Sequence, residues 1–267
     1  MEIRNERPKT HITSVLFDFD GTLSTLRSGW EQVMAPMMHE YLSACLLAPD
    51  AETLQKEIDA FIDESTGIQT IFQMKWISNR VKELGGTPLD PWDYKAEYNR
   101  RLMLGIEIKK QKLLNGEADA EDYLMKGAKE FLLGLKRNNV TVYVASGTDH
   151  PDVVEEAKAL GLFDLFDEIA GAPLHREDCS KEAVLKRLIE ENRLSGSEVC
   201  VIGDGKVEIA LGKSAGAMTV GLASDEKKRY GIDSVKRERL IKAGADIITG
   251  DFLDKDRLFE LMGLSEA

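Results

Sequence analysis

From Val140 to Thr249 the chain repeatedly sets a short run of β-branched and aliphatic residues beside a helical stretch. The runs VTVYVASG, EVCVIGDG, AMTVGLA and ADIIT are apolar at most positions, as strands buried on both faces are. Between them PDVVEEAKALG, SKEAVLKRLIEEN, VEIALGKSA and VKRERLIKAG carry apolar residues every three or four positions, the spacing of an amphipathic helix. Pro151 in the first turn and Gly161 at the end delimit the first of these helices, and Ser180 is placed to cap the second. Strands that alternate with helices need crossover connections, so they pair in parallel within one sheet and bury it between helices.

One further strand stands far upstream, Thr13 to Phe19, and Gly21 ends it. After it the pattern is helical as far as residue 112. WEQVMAPMMHEYLSACLL, AETLQKEIDAFIDES, IQTIFQMKWISNRVKELGG and PWDYKAEYNRRLMLGIEIKK repeat apolar residues at helical spacing, with Gly85-Gly86 and Pro88 between the last two. The expected organisation is an α/β core from residues 1–25 and 113–267, interrupted after its first strand by an all-helical insert at 26–112.

Composition narrows the partners. The 267 residues carry a net charge of −12, which disfavours general nucleic-acid binding, since that needs a basic surface. An anionic small molecule remains compatible, because a local cation outweighs a distant net charge. Cys45, Cys179 and Cys200 form no CxxC pair, and His175 with Cys179 lacks the second pair of a zinc site. The opening MEIRNERPKT has no apolar signal core, and no apolar run approaches the roughly 18 residues that span a bilayer. A cytoplasmic protein with no membrane partner is expected; oligomeric state is left open.

Ligands of open parallel sheets bind beyond the carboxyl ends of the strands. Three such ends carry polar groups: Asp18 and Asp20 in FDFDGTLS, Ser146-Gly147-Thr148 after VTVYVA, and Gly203-Asp204-Gly205 after EVCVI. Asp18 and Asp20 are two residues apart and point the same way in an extended strand, so they repel unless a cation lies between them. Asp18 and Asp204 with a backbone carbonyl near Asp20 offer the hard oxygen ligands that Mg2+ takes. Asp18 is then placed to attack phosphorus, and Asp20 to protonate the leaving oxygen. Ser146, the amide of Gly147 and Lys181 are placed to bind phosphoryl oxygens.

These motifs resemble the haloacid dehalogenase superfamily, specifically its phosphatases of the phosphoglycolate phosphatase type. DFDGTLS matches the family's DxDGT signature; Ser146 in VYVASGT, Lys181 in DCSKEAVL and Asp204 with Glu208 in VCVIGDGKVEI follow in the family's order. The resemblance implies a Rossmann-like, three-layer parallel-sheet core with a helical cap, Mg2+ dependence, Asp18 as nucleophile and Asp20 as acid/base. It adds Glu208 as a further metal candidate, directly or through water. The aspartate at position 20 argues against the dehalogenase and phosphonate-cleaving branches. Two details depart from the commonest pattern: no proline follows Lys181, and Glu208 replaces the frequent aspartate.

The implied function is a phosphomonoester hydrolase acting on a small phosphorylated metabolite, such as a sugar phosphate or phosphoglycolate, through an aspartyl-phosphate. A phosphomutase using the same intermediate is the nearest alternative, and a non-catalytic binding protein of the same fold a second. Lys186 and Lys213 rival Lys181 as the phosphate cation. Arg27 and Trp30 are specificity candidates, and Gln73, Lys75, Trp76 and Arg80 further pocket candidates; Trp76 suits packing between helices better. His39 and His150 have no spaced partners. GKSAG at 212–216 lacks the glycine that a phosphate loop needs at position 207.

Overall fold

The computed structural model describes residues 1–5, 11–66, 68–173, 181–191 and 195–265. It divides into two compact units, one of residues 1–28 and 110–267 and the other of residues 29–109.

The larger unit is built on a seven-stranded sheet. Its strands are β1 (Glu2–Ile3), β2 (Ser14–Phe17), β3 (Thr141–Asp149), β4 (Glu168–Ala172), β5 (Val199–Gly203), β6 (Met218–Leu222) and β7 (Ile247–Thr249). The order across the sheet is β1-β7-β6-β5-β2-β3-β4. All neighbours pair in parallel except β1, which runs antiparallel on β7. Strands β2, β5, β6 and β7 are buried throughout, which is why they read as unbroken apolar runs. The sequence reading missed β1 and β4: a two-residue edge strand has no periodicity, and EIAGA carries only one β-branched residue.

Phe17 on β2 meets Phe131 edge-on with ring centroids 6.2 Å apart, and Phe131 stacks on Phe252 and on Phe259, each at 5.0 Å. Phe131 lies on α5 (Ala128–Arg137), which α6 (His150–Ala159) and α7 (Lys181–Glu191) follow in the chain, and Phe259 on α10 (Lys255–Leu261), a helix that the sequence reading had not identified. Four aromatic rings thus fill one layer against β2.

The second unit is helical. α1 (Glu31–Ser43) buries Met34, Met37, Met38 and Leu42, and α2 (Ala51–Ser65) buries Leu54, Ile58 and Ile62. These steps of three and four put each set on one face. Asp50 caps α2 by accepting from the amides of Glu52 and Thr53, each at 3.1 Å. α3 (Thr70–Glu83) ends before Gly85, whose φ of +76° lies in the left-handed region, and α4 (Pro91–Leu114) begins at a proline. No helix among the described residues is long and apolar enough to cross a membrane.

Candidate active site

Strands β5, β2 and β3 are adjacent, so the chain order reverses on either side of β2, where open α/β sheets bind ligands. Phe17 pairs with Val144 on one side and Ile202 on the other; β5 ends one residue beyond that level, and β3 runs on to Asp149. The Asp18 amide donates to the carbonyl of Ile202 at 2.9 Å, extending the ladder by one residue. Asp18 is buried, and its Oδ1 accepts from the amide of Phe19 at 2.8 Å. The chain then turns at Gly21, where φ is +72° and an added Cβ would lie 2.4 Å from Oδ2 of Asp204. Glycine is required twice over here, for the conformation and for the close approach.

Asp204 follows β5 directly and is itself buried. α8 (Lys206–Ser214) starts two residues later, and Glu208 in its first turn accepts from the Gly205 amide at 2.7 Å. A Cβ at Gly203 would come within 2.4 Å of the Glu208 side chain, and one at Gly205 within 2.9 Å. The two glycines of GDG make room for that carboxylate. Asp18, Asp204 and Glu208 each present an oxygen within 4.8 Å of the others. Three buried acids so close repel strongly unless a cation is shared, and an all-oxygen donor set suits a hard divalent ion such as Mg2+.

Asp20 is met by β3. The ladder between β3 and β4 pairs Ala145 with Ala170 and resumes only at Asp149 with Ala172, so β3 bulges between them. A bulge re-aims side chains; here Thr148 Oγ1 donates to Asp20 Oδ2 at 2.7 Å and Ser146 Oγ to the same oxygen at 3.4 Å. Ser146 Oγ also accepts from the Thr148 amide at 3.1 Å, and Gly147 lies between the two on the bulge. Thr148 carried no assigned role in the sequence reading. Lys181 opens the helix Lys181–Glu191, but its side chain lies outside the described residues, as do His175, Cys179 and Ser180. Its rival Lys213 is bound to Asp246 Oδ1 at 2.6 Å.

Two cations stand near the carboxylates: Lys236, which gave no signal of spacing or motif, and Arg27, read from the sequence as a specificity candidate. Lys236, on α9 (Ser234–Lys242), donates to Asp204 Oδ2 at 2.6 Å, Glu226 Oε1 at 2.7 Å and Ser224 Oγ at 3.1 Å. Burial alone would lower its pKa, but the Asp204 and Glu226 carboxylates outweigh burial and hold it above the ordinary lysine range. Arg27 is also buried, with Nε 3.0 Å and Nη2 2.6 Å from Glu156 Oε1 and Nη2 3.4 Å from Asp152. Its Nε comes within 3.8 Å of Asp20 Oδ1. Arg27 is thus engaged with the carboxylates of Glu156 and Asp152.

Within the helical unit, Trp30 precedes α1 and packs against the unit's own core. Trp76 stacks on Phe61 at 4.0 Å, Gln73 donates to Ser65 at 3.1 Å, and Arg80 pairs with Glu57 and Glu83. These contacts give the three residues local packing roles.

A family model described as haloacid dehalogenase-like hydrolase matches residues 12–216. The candidate pyrophosphatase PpaX of Clostridium perfringens is 27% identical over 214 residues, covering 79% of this chain and 84% of that protein. Among solved structures, the chain is similar to a "predicted phosphoglycolate phosphatase" from Haemophilus somnus 129PT (18% identity, TM-score 0.61, 94% and 99% of the two chains). It is also similar to a β-phosphoglucomutase from Clostridium difficile (16% identity, TM-score 0.64, 94% and 97%). The match spans both strand ends that carry the acids, β2 and β5, and the chain belongs to the haloacid dehalogenase-like hydrolases.

Proposed function

We propose that this hydrolase is a Mg2+-dependent phosphatase of small phosphorylated metabolites, working through an aspartyl-phosphate on Asp18. The observation that carries the reading is the buried trio Asp18, Asp204 and Glu208, with oxygens within 4.8 Å, beside an Asp20 held separately by Thr148. Two carboxylates of one loop thereby sit in different environments, which is what separate roles as nucleophile and acid require.

Mg2+ held by Asp18, Asp204 and Glu208 would neutralise phosphate charge and relieve the repulsion among the acids. An oxygen of Asp18 attacks phosphorus as the bond to the leaving oxygen breaks, and Asp20 gives that oxygen its proton. In the second half Asp20 takes a proton from water, the water oxygen bonds phosphorus, and Asp18 leaves as a carboxylate with inorganic phosphate released. Ser146 and the Gly147 amide bind phosphoryl oxygens as their charge shifts, and Lys181 is assigned the same task. The helical unit takes the part of the family's cap, which selects substrates.

Phosphate release should be measured from a panel of sugar phosphates, phosphoglycolate and pyrophosphate, the last included because of the relative's name. Release with Mg2+, loss on chelation and loss in Asp18→Asn support the reading; undiminished turnover in D18N refutes it. The named phosphoglucomutase among the structural neighbours keeps a mutase in view. Isomerised product with little free phosphate would favour it.

A further inference from the structure

Asp20 has two unlike oxygens. Oδ2 accepts from Thr148 at 2.7 Å, whereas Oδ1 is buried and accepts no hydrogen bond. A buried acceptor without a donor is unfavourable, and a guanidinium stands beside it, with Arg27 Nε at 3.8 Å. That nitrogen is held elsewhere: the same Nε donates to Glu156 Oε1 at 3.0 Å, and Nη2 donates to that oxygen at 2.6 Å. Glu156 is almost fully buried and stands one helical turn from Asp152, which takes Arg27 Nη2 at 3.4 Å. Glu156 and Asp152 therefore both hold the guanidinium that stands beside Asp20.

We propose that Glu156 is a positioning residue: by holding Arg27 it keeps the guanidinium off the inner oxygen of Asp20, and so leaves Asp20 turned to Thr148 and to the leaving group. This rests on the reading of Asp20 as the proton donor. Without the Glu156 carboxylate, Arg27 moves onto Oδ1 and draws the Asp20 side chain inward. The chemical step is unchanged in its balance: phosphorus passes from the leaving oxygen to Asp18, and the leaving oxygen takes the Asp20 proton. What is lost is the placement of that proton.

Leaving-group dependence tests it. A sugar or alkyl phosphate needs its leaving oxygen protonated, whereas p-nitrophenolate departs without a proton. The ratio of kcat/KM for an alkyl phosphate to that for p-nitrophenyl phosphate cancels the fraction of folded enzyme. Glu156→Gln should lower that ratio by about 10-fold or more, a part of the roughly 10²-fold or greater contribution of general acid catalysis. Removing the guanidinium as well, in R27Q/E156Q, should return the ratio to the parent value or above it. Should E156Q fail to fold, E156D keeps the charge at shorter reach and should shift the ratio in the same direction by less. An equal slowing of both substrates in E156Q, or a ratio that stays low in the double variant, overturns the proposal. Absence of turnover of either substrate by the parent protein would instead overturn the phosphatase reading itself.

Discussion

Lys236 lies 2.6 Å from Asp204, so the trio Asp18, Asp204 and Glu208 has a lysine ammonium bonded to one of its members. Glu226, 2.7 Å from the same ammonium, makes it a cation shared by two acids. Lys236→Met should destabilise the metal-free protein by roughly 3 kcal/mol, the size of the loss when a buried ion pair keeps only one partner. It should also enlarge the rise in Tm on adding Mg2+, because a ligand that binds only the folded state stabilises it more as affinity grows. Equal Mg2+-induced shifts in the two proteins would exclude competition between the ammonium and the ion.

Replacing Asp18 by Asn removes the nucleophile and one of three crowded charges together. Phosphate release should fall by about 10³-fold or more, while the Tm in chelator rises because like-charge repulsion is relieved. The Phe19 amide keeps an acceptor in the asparagine oxygen, so the local turn is retained. A D18N protein that melts lower than its parent in chelator would show that the trio is not electrostatically strained.

At Gly21 the cost of a methyl group is twofold. Alanine at φ +72° costs about 1–2 kcal/mol of backbone energy, and its Cβ would meet Asp204 Oδ2. Gly21→Ala should therefore lower Tm and weaken Mg2+ binding by calorimetry. A loss of stability with unchanged Mg2+ affinity would confine the effect to the turn.

Burial pushes the Glu156 carboxyl up to about 7, with the neighbouring charges of Asp20 and Asp152 acting in the same direction against Arg27. Between its ordinary value of 4.5 and about 7, the folded protein holds a proton that the unfolded chain has released. Stability from this group therefore grows as pH falls through that window and levels off below it. Relative to E156Q, the parent protein should gain in Tm on acidification from pH 7.5 to 5. Parallel Tm profiles would place the titration elsewhere.

The parts of the fold that depend on local pattern were legible in the sequence. α2 runs over the AETLQKEIDAFIDES stretch read as a helix, and β5 and β6 lie within EVCVIGDG and AMTVGLA, because fully buried strands leave unbroken apolar runs. Asp18 and Asp204 could be singled out since each ends such a run beside a glycine. Lys236 could not: it is one of several cations in KKRYGIDSVKRER, and only the return of α9 beside β5's end distinguishes it. Glu156 was equally hidden among the acids of PDVVEEAKALG. Its partner lies 129 positions away, and burial of an acid by a distant arginine leaves no mark on either neighbourhood. Thr148 depends on a bulge that periodicity does not encode.

Successive residues of α9 serve different neighbours. While Lys236 reaches Asp204, Arg237 clasps Glu2 of the antiparallel edge strand β1 through two hydrogen bonds of 2.8 Å. The first residues of the chain are therefore fastened to the helix that supplies the resident ammonium. Removing residues 1–5 would unfasten that helix and bare the edge of β7 to other chains.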